Sequence, residues 1–353
     1  MRIGIYDPYL DTIGGGERYC LTLAEDLSRN HQVEIFWDKD NLKEEIKKRL
    51  LINLDKVSLV SNIFSRRGNF LEKINKTRQY DLIFYLSDGS IPLTFAKKNI
   101  LHFQVPFSKI SGKTLVNKIK LSRFTNIICN SSFTKNVIDR SYGVNSRVIY
   151  PPVDVANFTV SKKENIILSV GRFTGLFGGK KQEAMIDVFK KIVDSGLKNW
   201  EFVLIGGLLE NDQDYFRKLD GQVAGYPIKL LPNLPFDELR KYYGRTAIYW
   251  HANGFGEDEK VNPQRFEHFG ISTVEAMASG CVPIVFNGGG QKEIVEEGIN
   301  GFLWETEENL INLTLELIND LKLREKMSQE ATLRSKLFSK EVFLRRFNEI
   351  IGL

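Results

Sequence analysis

Two glutamates, Glu267 and Glu275, stand with seven residues between them in the stretch Phe266-Glu267-His268-Phe269-Gly270-Ile271-Ser272-Thr273-Val274-Glu275-Ala276-Met277-Ala278-Ser279-Gly280. Gly270 ends an irregular segment, and Ser272 or Thr273 is placed to cap a helix whose small residues allow close packing on a sheet. A helix that opens just after a glycine offers unpaired N–H groups and the positive end of its dipole. The backbone of Gly270, Ile271 and Ser272 is therefore a phosphate-binding candidate. An anion site has no use for carboxylates, so Glu267 and Glu275 call for hydroxyl donors. A sugar nucleotide carries phosphates and hydroxyls together.

Cations occur where such a ligand would need them. Asn165–Arg172 reads as a buried strand ending in Gly171-Arg172, and a glycine-rich turn (Gly175, Gly178, Gly179) leads to Lys180-Lys181-Gln182 and a helix. Arg172 and a lysine then share one edge of a crevice. His102 lies at the end of another strand pattern, Leu101-His102-Phe103, and strand C-terminal ends face the ligand in open α/β sheets. Two acidic pairs, Asp38/Asp40 and Asp212/Asp214, have the spacing of a metal-binding Asp-x-Asp, but the arginine and lysine already supply positive charge. We therefore expect no metal. No Gly-x-Ser-x-Gly accompanies a Ser/His/Asp set.

The elements that position these residues follow from the hydrophobic pattern. Short apolar runs recur at Arg2–Tyr6, Val33–Trp37, Val57–Val60, Leu82–Leu86, Ile100–Phe103, Ile127–Cys129 and Val148–Tyr150, separated by polar or helical segments, as in a parallel sheet with crossovers. After Gly14-Gly15-Gly16, the residues Cys20, Leu23, Ala24 and Leu27 fall on one helical face. Strand, glycine loop and helix open a doubly wound domain, although the dinucleotide fingerprint fails because Tyr19 holds the third glycine position. Tyr150-Pro151-Pro152-Val153-Asp154 marks a linker near 151–160. The expected division is 1–155 and 156–335, with a final helical segment at 336–353.

With 353 residues, 42% hydrophobic and 26% charged, the chain has the composition of an ordinary two-domain globular protein. A net charge of +5 is too small to mark a nucleic-acid binder. Cys20, Cys129 and Cys281 are far apart and lack metal spacing, which suits buried thiols in a reducing compartment. There is no signal peptide or membrane-span pattern, so a cytoplasmic location is expected. One segment is strongly basic: Lys97 to Arg147 holds ten Lys or Arg against Asp139 alone. Within it, Lys113–Arg123 mixes cations with Leu115, Val116, Ile119 and Leu121. It reads either as a solvated face or as a contact with an anionic membrane surface, at the inner face of the membrane, or with a phosphate-bearing lipid acceptor.

Glu267 and Glu275, followed by Ala-Met-Ala-x-Gly, Pro283, Asn287-Gly288-Gly289-Gly290 and Glu293-Ile294-Val295, resemble the signature of family 4 glycosyltransferases, retaining enzymes of the GT-B fold. The resemblance covers essentially the whole chain. It implies two Rossmann-like parallel-sheet domains facing a central cleft, with the last helix returning to the first domain. It further implies that Arg172 and Lys180 hold the donor diphosphate, with Lys181 competing for that role. Glu275 would then hold the ribose, Glu267 the sugar hydroxyls, and the backbone of Leu231–Asn233 the nucleobase. Gly15 and Gly16 would admit diphosphate and acceptor, and His102 would touch the transferred sugar or acceptor. The phrases Glu267-His268-Phe269-Gly270-Ile271 and Gly14-Gly15-Gly16-Glu17-Arg18 are similar to those of lipid-linked-oligosaccharide mannosyltransferases, which favours GDP-mannose over a UDP-sugar. No cofactor beyond the nucleotide-sugar donor is implied, and the acceptor is a glycan or lipid-linked glycan. The alternatives are another GT-B enzyme, such as a nucleotide-sugar epimerase, and a non-catalytic sugar-nucleotide scaffold.

Overall fold

The computed structural model describes the chain apart from residues 13, 40–41, 65–69, 111, 176–178 and 353 and the side chain of Phe70. Asp40 and Gly178 of the motifs above lie outside the described residues. The chain divides into two compact units, Met1–Pro152 with Lys340–Leu353, and Val153–Ser339.

Unit 1 contains strands β1 (Arg2–Tyr6), β2 (Gln32–Phe36), β3 (Val57–Val60), β4 (Leu82–Leu86), β5 (Lys98–Phe103), β6 (Asn126–Cys129) and β7 (Arg147–Val148). They form one parallel sheet in the order β3-β2-β1-β4-β5-β6-β7. The helices are α1 (Arg18–Leu27), α2 (Leu42–Leu50), α3 (Phe70–Thr77), α4 (Leu115–Leu121) and α5 (Ser132–Tyr142). Parallel strands covered on both faces read as continuous apolar runs. Here β4 sends Leu82, Phe84 and Leu86 into one core and Ile83 and Tyr85 into the other.

Unit 2 holds β8 (Glu164–Val170), β9 (Glu201–Gly206), β10 (Ile228–Pro232), β11 (Thr246–His251), β12 (Val282–Phe286) and β13 (Phe302–Trp304). The parallel order is β10-β9-β8-β11-β12-β13. Its helices are α6 (Gln182–Asp194), α7 (Gln213–Val223), α8 (Phe236–Arg245), α9 (Ile271–Ala278), α10 (Gln291–Ile294), α11 (Glu307–Asn319) and α12 (Leu321–Ser335). Again alternate residues face different cores: Phe202 and Leu204 of β9 on one side, Val203 and Ile205 on the other.

The final helix, α13 (Lys340–Ile351), belongs to unit 1. Phe343, Phe347 and Ile351 enter the core that contains Tyr19 and Phe84, with Phe343 edge-on to Tyr19 at 4.7 Å. Lys340 Nζ donates to Glu25 at 2.7 Å and Lys98 Nζ to the Ile351 carbonyl at 2.7 Å. Tyr19, where a dinucleotide-binding loop would carry glycine, is a core residue that also stacks on His102 at 4.0 Å.

Candidate active site

The carboxylate of Glu267 is the centre of a wired cluster at the strand ends of unit 2. Lys180, just before α6, places Nζ 2.5 Å from Glu267 Oε2. His251, the last residue of β11, brings Nε2 to 2.9 Å from the same oxygen. A carboxylate only accepts, so the imidazole carries its proton on Nε2. Its Nδ1 is buried and has no partner among the described residues. Burial alone would push the Glu267 carboxyl up, yet the Lys180 charge and the hydrogen bonds from His251 and Lys180 hold it well below the ordinary carboxylate range. Burial, partly opposed by Glu267, lowers the His251 pKa, so this imidazole is neutral at neutral pH. The cluster is thus an ionised carboxylate matched by one lysine and steadied by a neutral histidine. An ionised group this far out of water persists only when paired in that way.

The backbone of Glu267 is clamped by the glycine run. Gly290 N donates to the Glu267 carbonyl at 2.7 Å. A Cβ on Gly289 (φ +60°) would lie 2.2 Å from that same carbonyl oxygen, and one on Gly290 would lie 2.6 Å from the His268 carbonyl. Only glycine allows this approach. Residues 288–290 therefore fix the position of Glu267, a job their sequence context as a turn does not reveal.

Helix α9 begins at Gly270, whose φ of +123° suits glycine. The expectation that Ser272 or Thr273 caps the helix is corrected. Gly270 holds the cap position without a side-chain bond, and Ser272 Oγ, inside the first turn, accepts from Tyr249 Oη at 2.8 Å. The amides of Ile271 and Ser272 still belong to the first turn, which has no carbonyl partners within the helix. One turn on, half-buried Glu275 accepts a bond from Tyr243 Oη at 3.1 Å. Ser272 and Glu275 are three residues apart on one helical face, and each is held by a tyrosine from the unit's core.

Arg172 is exposed, makes no ion pair among the described residues, and runs its Cγ along Gly207. Lys180 and Lys181 diverge. Lys180 meets Glu267, whereas Lys181, at φ +56°, pairs with Glu257 at 3.0 Å, a carboxylate also gripped by Arg265 at 2.9 Å. Asn233, at φ +54°, accepts from Leu208 N at 2.9 Å through Oδ1 and donates its own N–H to the Gly206 carbonyl at 2.8 Å. It ties two strand-end loops together, with Leu231 half-buried beside it.

In unit 1 the glycine loop lies between β1 and α1. Gly15 and Gly16 are exposed, Glu17 Oε2 accepts from Gly14 N at 2.6 Å, and Gln104 Nε2 donates to the Gly16 carbonyl at 2.9 Å. His102 is 0% exposed; its Nδ1 meets the Ile128 carbonyl at 3.2 Å while Nε2 has no partner among the described residues. Burial lowers its pKa to about 3, so it is uncharged. Asp7, the first residue after β1, is fully buried too. Its Oδ1 accepts from Tyr9 N at 2.9 Å, its Oδ2 is unpartnered among the described residues, and burial followed by the nearby Glu17 charge pushes its carboxyl up to about 7. Among the described residues no three His, Cys, Asp or Glu gather as metal ligands; Asp214 pairs with Arg217, and Asp38 Oδ1 accepts from Asn62 N at 2.9 Å.

Sequence reasoning passed over His251, Tyr243 and Tyr249. Each is a polar end on an apolar strand or helix, and only the contact with Glu267, Glu275 or Ser272 reveals it. Asp7 was legible in principle, as a carboxylate directly after a buried strand.

The chain thus holds two Rossmann-like parallel-sheet units, and in unit 2 a helix end is flanked by carboxylates and cations. The family model described as glycosyl transferases group 1 matches residues 154–334, that described as glycosyltransferase family 4 matches 13–157, and the chain belongs to this family. It is 32% identical over 206 residues to the human GDP-Man:Man(3)GlcNAc(2)-PP-Dol alpha-1,2-mannosyltransferase, covering 52% of this chain and 39% of the relative. The chain spans about two fifths of the length of the mannosyltransferase relatives it matches first. Among solved structures it is similar to a glycosyltransferase from Rickettsia africae (TM-score 0.79, 20% identity, 99% and 98% of the two chains). It is also similar to Anabaena Alr3699/HepE in complex with UDP (TM-score 0.77, 20% identity, 100% of both chains). These two likenesses establish the GT-B fold.

Proposed function

We propose that the chain is a retaining, metal-independent hexosyltransferase that moves a hexose from a nucleoside diphosphate sugar to a glycan or lipid-linked acceptor. The observation that carries the reading is the Lys180–Glu267–His251 cluster beside the start of α9. The donor diphosphate lies on Arg172, Lys180 and the amides of Gly270, Ile271 and Ser272, with Lys181 behind them. As the glycosidic bond breaks, negative charge grows on the diphosphate, and fixed cations and helix amides aimed at it lower the barrier. That role removes the need for a metal. Glu267 accepts from the hydroxyls of the sugar while its own charge stays balanced by Lys180. His251 is a positioning residue that fixes the carboxylate without adding charge.

Glu275, oriented by Tyr243, accepts from the ribose, and the backbone of Leu231 and Asn233 meets the base. Gly15, Gly16 and His102 are assigned to the acceptor side and the transferred sugar. Attack from the face the diphosphate leaves retains configuration at the anomeric carbon. GDP-mannose is the favoured donor, because the relatives at about one third identity are named for GDP-Man and for dolichol-linked acceptors. The UDP of the Anabaena complex belongs to a chain at 20% identity, which supports fold alone. No cofactor beyond the donor is needed. Three buried, unpaired cysteines fit a reducing, cytoplasmic setting.

The test is release of nucleoside diphosphate from GDP-mannose, UDP-glucose and UDP-N-acetylglucosamine, with and without a lipid-linked glycan, in EDTA and in Mg²⁺. Acceptor-dependent GDP release unaffected by EDTA is expected. Activity lost in EDTA and restored by Mg²⁺ contradicts the metal-independent reading, and binding without release leaves a scaffold.

A further inference from the structure

The basic run of Lys97–Arg147 is not one patch. Lys97 pairs with Asp81, Lys98 Nζ with the Ile351 carbonyl, and Lys135 with Asp139, so these cations serve unit 1 internally. What remains gathers at α4. Lys109, Lys113, Lys118 and Arg123 are exposed and Lys120 is half-buried; none makes an ion pair among the described residues, and Arg123 lies over the Phe95 ring at 5.1 Å. The sequence has no acidic residue between Asp88 and Asp139, so neighbouring turns bring no neutralising charge.

Helix α4 is also turned the wrong way round for a core helix. Thr114 caps it through Oγ1, which accepts from Asn117 N at 3.2 Å, and Leu121 anchors it in the core. Leu115, Val116 and Ile119 instead stand 74%, 61% and 59% exposed. At positions i, i+1 and i+4 they share one face. Three branched apolar side chains held in water, ringed by unpaired cations, are unfavourable until something covers them.

We propose that this face of α4 docks on an anionic lipid bilayer. Leu115, Val116 and Ile119 enter the boundary between headgroups and acyl chains, and Lys109, Lys113, Lys118 and Arg123 meet lipid phosphates. The mixed chemistry selects this occupant. A second copy would bring the same positive charges against these, which repels. Single-stranded nucleic acid needs open aromatic rings to stack its bases, and Phe95, the ring beside this face, is half-buried under Arg123. An amphipathic helix with apolar residues inside a cationic rim is what a bilayer interface accepts. The contact is peripheral, since no helix among the described residues is long and apolar enough to cross a membrane. The inference stands apart from the donor chemistry of unit 2.

The experiment is co-sedimentation of the full chain with vesicles of phosphatidylcholine alone or with about one third phosphatidylglycerol, at low and high salt, together with light scattering. Wild type is expected to prefer the anionic vesicles by tenfold or more, and to lose most of that preference in high salt. Lys118→Glu should lower partitioning roughly fivefold or more, and Leu115→Ser/Ile119→Ser roughly tenfold. All three side chains are exposed, so both variants should keep wild-type circular dichroism and nucleoside diphosphate affinity. Equal binding to both vesicles, or variants that bind like wild type, overturns the proposal. So does a dimer in solution that Leu115→Ser/Ile119→Ser dissociates while lipid binding is absent.

Discussion

The strand ends of the two units hold polar groups in opposite ways. In unit 2, Glu267, Lys180 and His251 converge on one oxygen, and Lys181, Glu257 and Arg265 form a second set beside it. In unit 1, His102 and Asp7 are more deeply buried, each keeps one polar atom unpartnered among the described residues, and each is driven towards its neutral form. The same topology thus carries charge balanced within the protein on one side and charge suppressed by burial on the other. Breaking a phosphate leaving group away requires fixed charge, whereas receiving a neutral hydroxyl does not. The contrast supports the proposed placement of the donor on unit 2.

The contrast breaks most directly at Lys180. Lys180→Ala leaves Glu267 with only a neutral histidine, and burial then pushes the carboxyl up, so under the proposed function the diphosphate loses a cation and the sugar loses an ionised acceptor. The expected fall in kcat is about a hundredfold or more, read by steady-state release of nucleoside diphosphate. A variant within threefold of wild type would place the chemistry elsewhere. Arg172→Ala removes one charge-assisted contact and leaves the cluster intact, so kcat should fall roughly tenfold. Unchanged melting temperature would separate that loss from a fold defect.

Glu275 sharpens the comparison within unit 2. In the proposed placement the ribose lies on Glu275 and does not change during the reaction, so this carboxylate binds ground and transition states alike. Glu275→Gln should raise the donor KM roughly five- to thirtyfold and leave kcat largely unchanged. A variant that instead loses kcat would move the ribose off this residue.

In unit 1 the expected effect is on stability. The Asp7 carboxyl is raised from an ordinary value near 4 to about 7, so between those values the folded chain holds a proton that the unfolded chain has released. Stability contributed by the protonated form is present below pH 4 and falls as pH rises through 7. Asp7→Asn removes the ionisation cost, so it should stabilise the fold by roughly 2–4 kcal/mol at most at pH 8 and by less at pH 5, read from melting curves at the two values. An equal change at both values would contradict burial as the cause.

Most of the sheet architecture was legible because parallel strands buried on both faces leave continuous apolar runs, as Leu82–Leu86 and Phe202–Gly206 do. The strand β13 left too short a run to register, with Phe302–Trp304 following a glycine. The carboxylates and cations were legible as residue types at spacings, but their pairing was not. Fifteen residues separate His251 from Glu267, and nothing local says that a histidine ending an apolar strand will turn onto that carboxylate. The mix of cations and apolar residues in Lys113–Arg123 was legible, yet spacing alone cannot say whether Leu115, Val116 and Ile119 face inward. Ser272 had the residue type of a cap, and Gly270 together with Tyr249 gave it another role.

The central claim is that the two glutamates divide the donor between them, Glu275 on the nucleoside and Glu267 on the sugar. Calorimetric titration of whichever of GDP and UDP wild type binds more tightly, into wild type, Glu275→Gln and Glu267→Gln, tests it without an acceptor. Glu275→Gln should weaken binding roughly five- to thirtyfold. Glu267→Gln should bind as well as wild type or better, because Lys180 is released to the phosphates, although its kcat falls. Equal loss of affinity in both variants, or none in either, would contradict the division.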